Sequence, residues 1–147
     1  ALVLTPNIPE AEVLSGIGIA TLSDMKEAAW IIGRLGARHV VVKWGHLAGE
    51  AADLLYDGRG FRTFTAPRIA TADTHGTGCT YSAAIASFLG RGMEVPEAVA
   101  AAKRYITEAI RRAWRVGGGH GPTNHLAPLF GAEGGTALEP EFWKTAG

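Results

Sequence analysis

Asp73-Thr74-His75-Gly76-Thr77-Gly78-Cys79 runs straight into Thr80-Tyr81-Ser82-Ala83-Ala84-Ile85-Ala86, an alanine-rich stretch of helical character that continues to Leu89. Two glycines two residues apart at the mouth of a helix leave backbone N–H groups unobstructed and without intrahelical partners. The helix dipole adds roughly half a positive charge at the same point. Such an end is a site for an anion, most often a phosphate. Cys79 stands just inside it, where a bound anion and a reacting hydroxyl could meet. Two plainer readings stand beside this one: a tight turn into a helix, and a buried, inert thiol of the kind single cysteines usually are.

The loop fits neither common nucleotide fingerprint. A Walker-type loop needs Lys and then Ser or Thr after its last glycine, and here Cys79 follows Gly78. Gly76-Thr77-Gly78 and Gly16-Ile17-Gly18 both lack the third glycine of a dinucleotide loop.

On either side of this stretch, strand and helix patterns alternate. Ala1–Leu4 reads as a buried strand ended by Thr5-Pro6-Asn7, and Pro9 to Leu14 as a short helix with proline in its first turn. Thr21 or Ser23 can cap a helix in which Met25, Ala28, Ala29, Ile32 and Leu35 recur at helical spacing, stopped by Gly36. Arg38–Trp44 contains Val40-Val41-Val42, typical of a strand covered on both faces. Ala51–Tyr56 and Phe61–Ala66 flank Asp57-Gly58-Arg59-Gly60, a hairpin signal. Pro96 opens a longer helix with Val99, Ala102, Ile106, Ala109, Ile110 and Ala113 on one face, which Gly117-Gly118-Gly119 would end. The segment from His120 onward, rich in Gly and Pro, reads as a surface loop.

The expected class is therefore α/β: a mostly parallel sheet flanked by helices, with one β-hairpin. The strands are few for such a sheet. The chain also opens inside an apolar strand, so it reads as the later part of something longer, with N-terminal strands missing. An unpaired sheet edge would then favour association, either with further copies or with the missing half.

With 147 residues, the chain has room for one core on a prior of about 100–200 residues per domain. Fourteen basic and 14 acidic residues balance to zero, giving no electrostatic case for nucleic acid or an anionic membrane. Arg111, Arg112 and Arg115 sit at a helix end, where cations suit the dipole. One cysteine excludes an internal disulfide. No apolar run approaches the ~18 residues of a membrane span and no signal-peptide pattern opens the chain, so the cytoplasm is the default location.

Two further constellations fall at strand ends, where α/β ligands bind. Asn7 and Glu10 put a carbonyl oxygen and a carboxylate on one short turn, suited to Mg²⁺ held through water; the plainer reading is an Asn turn followed by a solvated Glu. In Lys43-Trp44-Gly45-His46, Lys43 could reach a nucleotide phosphate, or could simply snorkel at a sheet edge. His120 and His125 invite a zinc reading, but no cysteine or carboxylate partner stands at ligand spacing.

Taken together, these residues resemble the ribokinase superfamily of small-molecule ATP kinases. More narrowly, they resemble the hydroxymethylpyrimidine and phosphomethylpyrimidine kinases of thiamine biosynthesis. The resemblance runs from Leu2 to about Leu126. It is carried by Thr5-Pro6-Asn7-Ile8-Pro9-Glu10-Ala11, the Lys43–His46 segment, Phe64-Thr65-Ala66-Pro67-Arg68, Thr74-His75-Gly76-Thr77-Gly78-Cys79-Thr80, and the tail with Gly119-His120-Gly121-Pro122 and His125. Trp44 stands where the family usually has glycine. The resemblance implies Gly76, Thr77 and Gly78 as an anion hole, with Cys79 as catalytic base in place of the superfamily's more common Asp. It implies Lys43, Asn7 and Thr74 on the nucleotide, Glu10 at Mg²⁺, and a nucleotide-binding and catalytic part over residues 1–130 followed by a tail over 131–147. ATP and Mg²⁺ would be the cofactors, and a pyrimidine the acceptor. A pyridoxal kinase of the same superfamily and a nucleotide-binding module without catalysis are the alternatives.

Overall fold

The computed structural model describes residues 1–44, 50–71, 74–113 and 121–127. The chain forms two compact units, Ala1–Arg68 and Ile69–Gly147. Gly45, His46, Asp73, Arg115, Gly117–Gly119, His120 and the expected tail over 131–147 lie outside the described residues.

The first unit is a four-stranded sheet in the order β1-β2-β3-β4, with two helices between its first two strands. Strand β1 (Val3–Leu4) runs parallel to β2 (His39–Trp44), with Val3 opposite His39 and Leu4 opposite Val40. Helices α1 (Ile8–Ser15) and α2 (Leu22–Arg34) make the crossover that a parallel pair requires. Strands β3 (Glu50–Tyr56) and β4 (Phe61–Pro67) then pair antiparallel, β3 to β2 and β4 to β3. The α/β class holds, but among the described residues the sheet is mixed rather than mostly parallel. The reason is connection length. Residues 45–49 and 57–60 are too few for a parallel crossover, which needs about a dozen, and suffice for antiparallel returns.

The β3–β4 hairpin closes as its turn residues predict. The Asp57 carboxylate accepts from the N–H groups of Arg59 (2.9 Å) and Gly60 (2.7 Å), and Gly58 takes φ +86°, open to glycine without a steric penalty. Helix α2 buries Met25, Ala28, Ala29 and Ile32 of the stripe its periodicity predicts, in one cluster with Val40, Val42, Trp44 and Leu54 of the sheet, while Leu35, its C-cap, is exposed. Val41 and Leu55, facing each other in register on the opposite face, are also fully buried. Each such side chain contributes about 1.5–3 kcal/mol. Gly33 lets α2 lie close to β3, since a Cβ there would stand 2.8 Å from the Tyr56 ring.

The second unit packs helix α3 (Thr77–Gly90) against α4 (Val95–Arg111). Helix α4 buries Val95, Ala98, Val99, Ala102, Ile106 and Ala109, a spacing of three and four that makes one apolar face. At its end Arg111 and Arg112 both pair with Glu108, in keeping with a solvated helix end. Residues 121–127 correct the surface-loop expectation in part: Pro122, His125 and Leu126 are exposed, the others are not. Thr123, Asn124 and Ala127 are buried, and the Asn124 N–H donates to the Ala109 carbonyl (2.9 Å) in the last turn of α4. A helix end leaves carbonyls without partners, and this segment supplies one in place of water.

Candidate active site

Asn7, Glu10 and Lys43 meet at one end of the first unit. Asn7 forms a parallel β-bridge with Lys43, whose N–H donates to the Pro6 carbonyl at 2.9 Å. The side chains of Asn7 and Glu10 are engaged with each other's backbone. Asn7 Oδ1 accepts from the Glu10 N–H (2.9 Å), and Glu10 Oε2 accepts from the Asn7 N–H (2.8 Å). This reciprocal pair caps α1, with Pro9 in the first turn. Lys43 is half-buried on β2, opposite Asp53 of β3 in register. Trp44 lies in the apolar cluster beneath α2, which accounts for a large side chain at that position.

Thr74, Gly76, Thr77, Gly78 and Cys79 gather at the start of α3. Gly76 is the N-cap residue, at φ +82°, and no side chain caps the helix. The Thr77 N–H (3.2 Å) and hydroxyl (2.7 Å) both turn back to the Thr74 carbonyl, and the Thr80 N–H closes the first turn on the Gly76 carbonyl at 2.9 Å. The N–H groups of Gly78 and Cys79 find no acceptor among the described residues. No acidic side chain stands in this first turn. The positive end of the helix is thus open at two amides, while the amide of Thr77 is occupied.

Cys79 is exposed, not buried in the core. It lines a cavity of about 600 Å³ together with Thr80, Ala83, Phe88, Tyr105 and His125, all within the second unit. A thiol bordering open space beside unpaired amides can act on a hydroxyl brought there.

By sequence, Thr80 and His125 fall within the resemblance but are not paired, and Tyr105 is not singled out. Thr80 Oγ1 lies 2.9 Å from His125 Nε2, across 45 positions of chain. The Tyr105 hydroxyl donates to the His125 carbonyl at 3.0 Å, and desolvation by burial raises the pKa of that phenol. His125 is therefore bonded to α3 and α4. Among the described residues no group of three or more His, Cys, Asp or Glu is placed to hold a metal ion, and no helix is long and apolar enough to cross a membrane.

The sequence model of the family described as phosphomethylpyrimidine kinase matches residues 1–124. The chain belongs to the phosphomethylpyrimidine kinase family. It is 54% identical over 127 residues to the thiamine biosynthesis bifunctional protein ThiED of Geobacter sulfurreducens, covering 86% of this chain and 26% of that protein. It is 44% identical over 126 residues to the hydroxymethylpyrimidine/phosphomethylpyrimidine kinase of Bacillus subtilis, covering 84% of this chain and 46% of the relative. Among solved structures, the pyridoxal kinase from Staphylococcus aureus in complex with AMP-PCP and pyridoxal superposes with a TM-score of 0.84 at 40% identity, covering 87% of this chain and 49% of that one. The chain spans a quarter to a half of the length of these relatives.

Proposed function

We propose that this family member takes part in ATP-dependent phosphoryl transfer to hydroxymethylpyrimidine or its monophosphate, and that this chain supplies the anion hole and the base. The observation that carries the reading is the exposed Cys79 in the first turn of α3, beside the open amides of Gly78 and Cys79. Phosphoryl transfer passes through a loose transition state, so positioning and charge neutralisation do most of the work. In the Gly76-Thr77-Gly78 anion hole the free N–H groups of Gly78 and the adjoining Cys79 hold the phosphoryl oxygens as charge moves onto the bridging oxygen, while Thr77, its N–H turned to Thr74, shapes the loop. Cys79 Sγ takes the proton from the acceptor's hydroxymethyl or phosphate group.

Thr74 and Lys43 are proposed to contact the nucleotide, as is Asn7 through its backbone-anchored turn. Glu10 is the proposed residue for Mg²⁺. Its Oε2 is held by the Asn7 N–H, and no bond to Oε1 is made among the described residues. A single carboxylate oxygen fits a cation carried mainly by water and by phosphate oxygens, the usual arrangement for nucleotide-bound Mg²⁺. When bound, the ion neutralises polyphosphate charge. ATP use is supported by kinase relatives solved with ADP and AMP-PCP.

Cys79→Ala in the full-length gene product should lower kcat by about 10²–10⁴-fold, the usual worth of general-base help, with little change in MgATP affinity. A loss under tenfold rejects Cys79 as base. MgATP binding by the unmutated protein without turnover would favour a non-catalytic nucleotide-binding module. A second reading, pyridoxal as acceptor, is favoured by the pyridoxal kinases among the solved neighbours. Comparing kcat/KM for pyridoxal, hydroxymethylpyrimidine and its monophosphate on one preparation decides between them.

A further inference from the structure

The open start of α3 poses a physical problem. Gly76 and Gly78 lose more backbone freedom on ordering than any other residue type, and no side-chain cap offsets that loss. A helix end of this composition frays on its own. Yet amides that hold a transferring phosphoryl group must be fixed before the reaction, because a misplacement of about 1 Å can cost about 10²-fold in rate. Something outside the helix has to hold the first turn still.

The segment 121–127 is in place to do so. It runs alongside the residue preceding Gly76: the His75 N–H donates to the Gly121 carbonyl (3.2 Å), and the Thr123 N–H donates to the His75 carbonyl (3.3 Å). It is anchored to α4 through the Asn124 N–H on the Ala109 carbonyl (2.9 Å) and through the Tyr105 hydroxyl on the His125 carbonyl (3.0 Å). From that anchored backbone His125 reaches Nε2 to within 2.9 Å of Thr80 Oγ1. Thr80 is the residue whose own N–H closes the first turn on Gly76 at 2.9 Å. The frame of residues 76–80 is thereby gripped from both ends, at His75 by backbone and at Thr80 by the imidazole. Thr80 is 8% exposed, while the ring of His125 that reaches it belongs to an exposed residue.

We propose that His125 is a positioning residue for phosphoryl transfer, fixing the Gly78 and Cys79 amides through its hydrogen bond to Thr80. The inference rests on the kinase reading above. The hydroxyl can donate to a neutral Nε2 or accept from a protonated one, so the bond tolerates either state of the ring. The role needs a polar nitrogen or oxygen at the reach of Nε2, not an imidazole as such.

The test compares four variants of the full-length gene product. His125→Ala should lower kcat and kcat/KM together by about tenfold to a hundredfold, the signature of an interaction felt in the transition state. His125→Gln, whose amide reaches to a similar distance, should recover most of that loss. Thr80→Val keeps shape and burial but removes the hydroxyl, and should reproduce the His125→Ala loss. The double variant Thr80→Val/His125→Ala should be no worse than either single change, since both remove one bond. An unchanged kcat in His125→Ala, a His125→Gln protein that melts normally yet stays as impaired as His125→Ala, or additive losses in the double variant would each overturn the inference. No turnover in the unmutated protein would instead overturn the kinase reading itself and His125's part in it.

Discussion

Helix α1 starts with Asn7, whose side chain accepts from the Glu10 N–H while Glu10 answers on the Asn7 N–H; helix α3 starts with Gly76, which has no side chain to offer. Both ends were singled out by sequence as places for an anion or its metal, and the structure separates them. At α1 the N–H groups of Asn7 and Glu10 are satisfied within four residues of chain, so the end is capped by its own side chains and keeps Glu10 Oε1, not open amides, for a ligand. At α3 two amides remain open, no acidic residue shares the turn, and order comes from Thr80, His125 and the 121–127 segment. A helix end can be made self-sufficient or left available, and the sequence difference is one residue with a polar side chain against one without.

The most severe way to break this contrast is to give α3 an acid of its own. Gly78→Asp places a carboxylate in the first turn, as Glu10 stands in α1. A carboxylate there interacts favourably with the dipole by about 0.3–1 kcal/mol, and replacing a helical glycine also helps. Melting temperature should therefore hold or rise. Phosphoryl transfer should fall by at least about 10²–10³-fold, the scale of losing one oxyanion-hole donor, because the new charge occupies the amides and repels the phosphate. Activity kept within tenfold would show that the open end of α3 is not where the phosphoryl group rests.

The reverse change is milder. Asn7→Ala removes the cap of α1 and should cost about 1 kcal/mol of stability, read by denaturant titration at constant m. If stability were unchanged and kcat/KM for MgATP fell instead, Asn7 would be a ligand residue first and a cap second. The two helix starts would then be alike.

Much of this was legible in the residues. The Asn7-Ile8-Pro9-Glu10 run is a capping signal, the α2 stripe follows from a period near four, and Asp57-Gly58 announces the hairpin. Each is local, settled by groups within a few positions of one another. The antiparallel return of β3 onto β2 was legible too, but in the shortness of residues 45–49, not in Val40-Val41-Val42, which suits either kind of pairing. Thr80 and His125 were not legible as a pair, because their bond joins positions 45 apart and neither residue type is unusual where it stands. Composition made 121–127 look like exposed loop. The burial of Gly121, Thr123, Asn124 and Ala127, and the Asn124 bond to the Ala109 carbonyl of α4, exist only in the assembled unit.

The gentlest probe of a self-capped end uses pH, and α2 provides it because it repeats the design of α1. Thr21 Oγ1 accepts from the Asp24 N–H (3.2 Å), and Asp24 Oδ2 accepts from the N–H groups of Ala20 (2.9 Å) and Thr21 (2.8 Å). The Ala20 N–H foremost, then the Thr21 hydroxyl and N–H, hold the Asp24 carboxyl below the usual carboxylate range. A carboxyl whose pKa is lower folded than unfolded contributes stability that is fully present above its unfolded value, about 3.9, and is lost as pH falls through its folded value. The Asp57 carboxyl, held down by the N–H groups of Gly60 and Arg59, works in the same direction. Helix α3, with no acid in its first turn, adds nothing to this acid dependence. Melting temperature should therefore drop as pH is lowered below about 4, and Asp24→Asn, which cannot titrate, should show a shallower drop. An Asp24→Asn protein whose acid slope matches that of the parent would mean the α2 cap contributes nothing that depends on its charge, and that self-sufficiency at these helix starts comes from neutral hydrogen bonding alone.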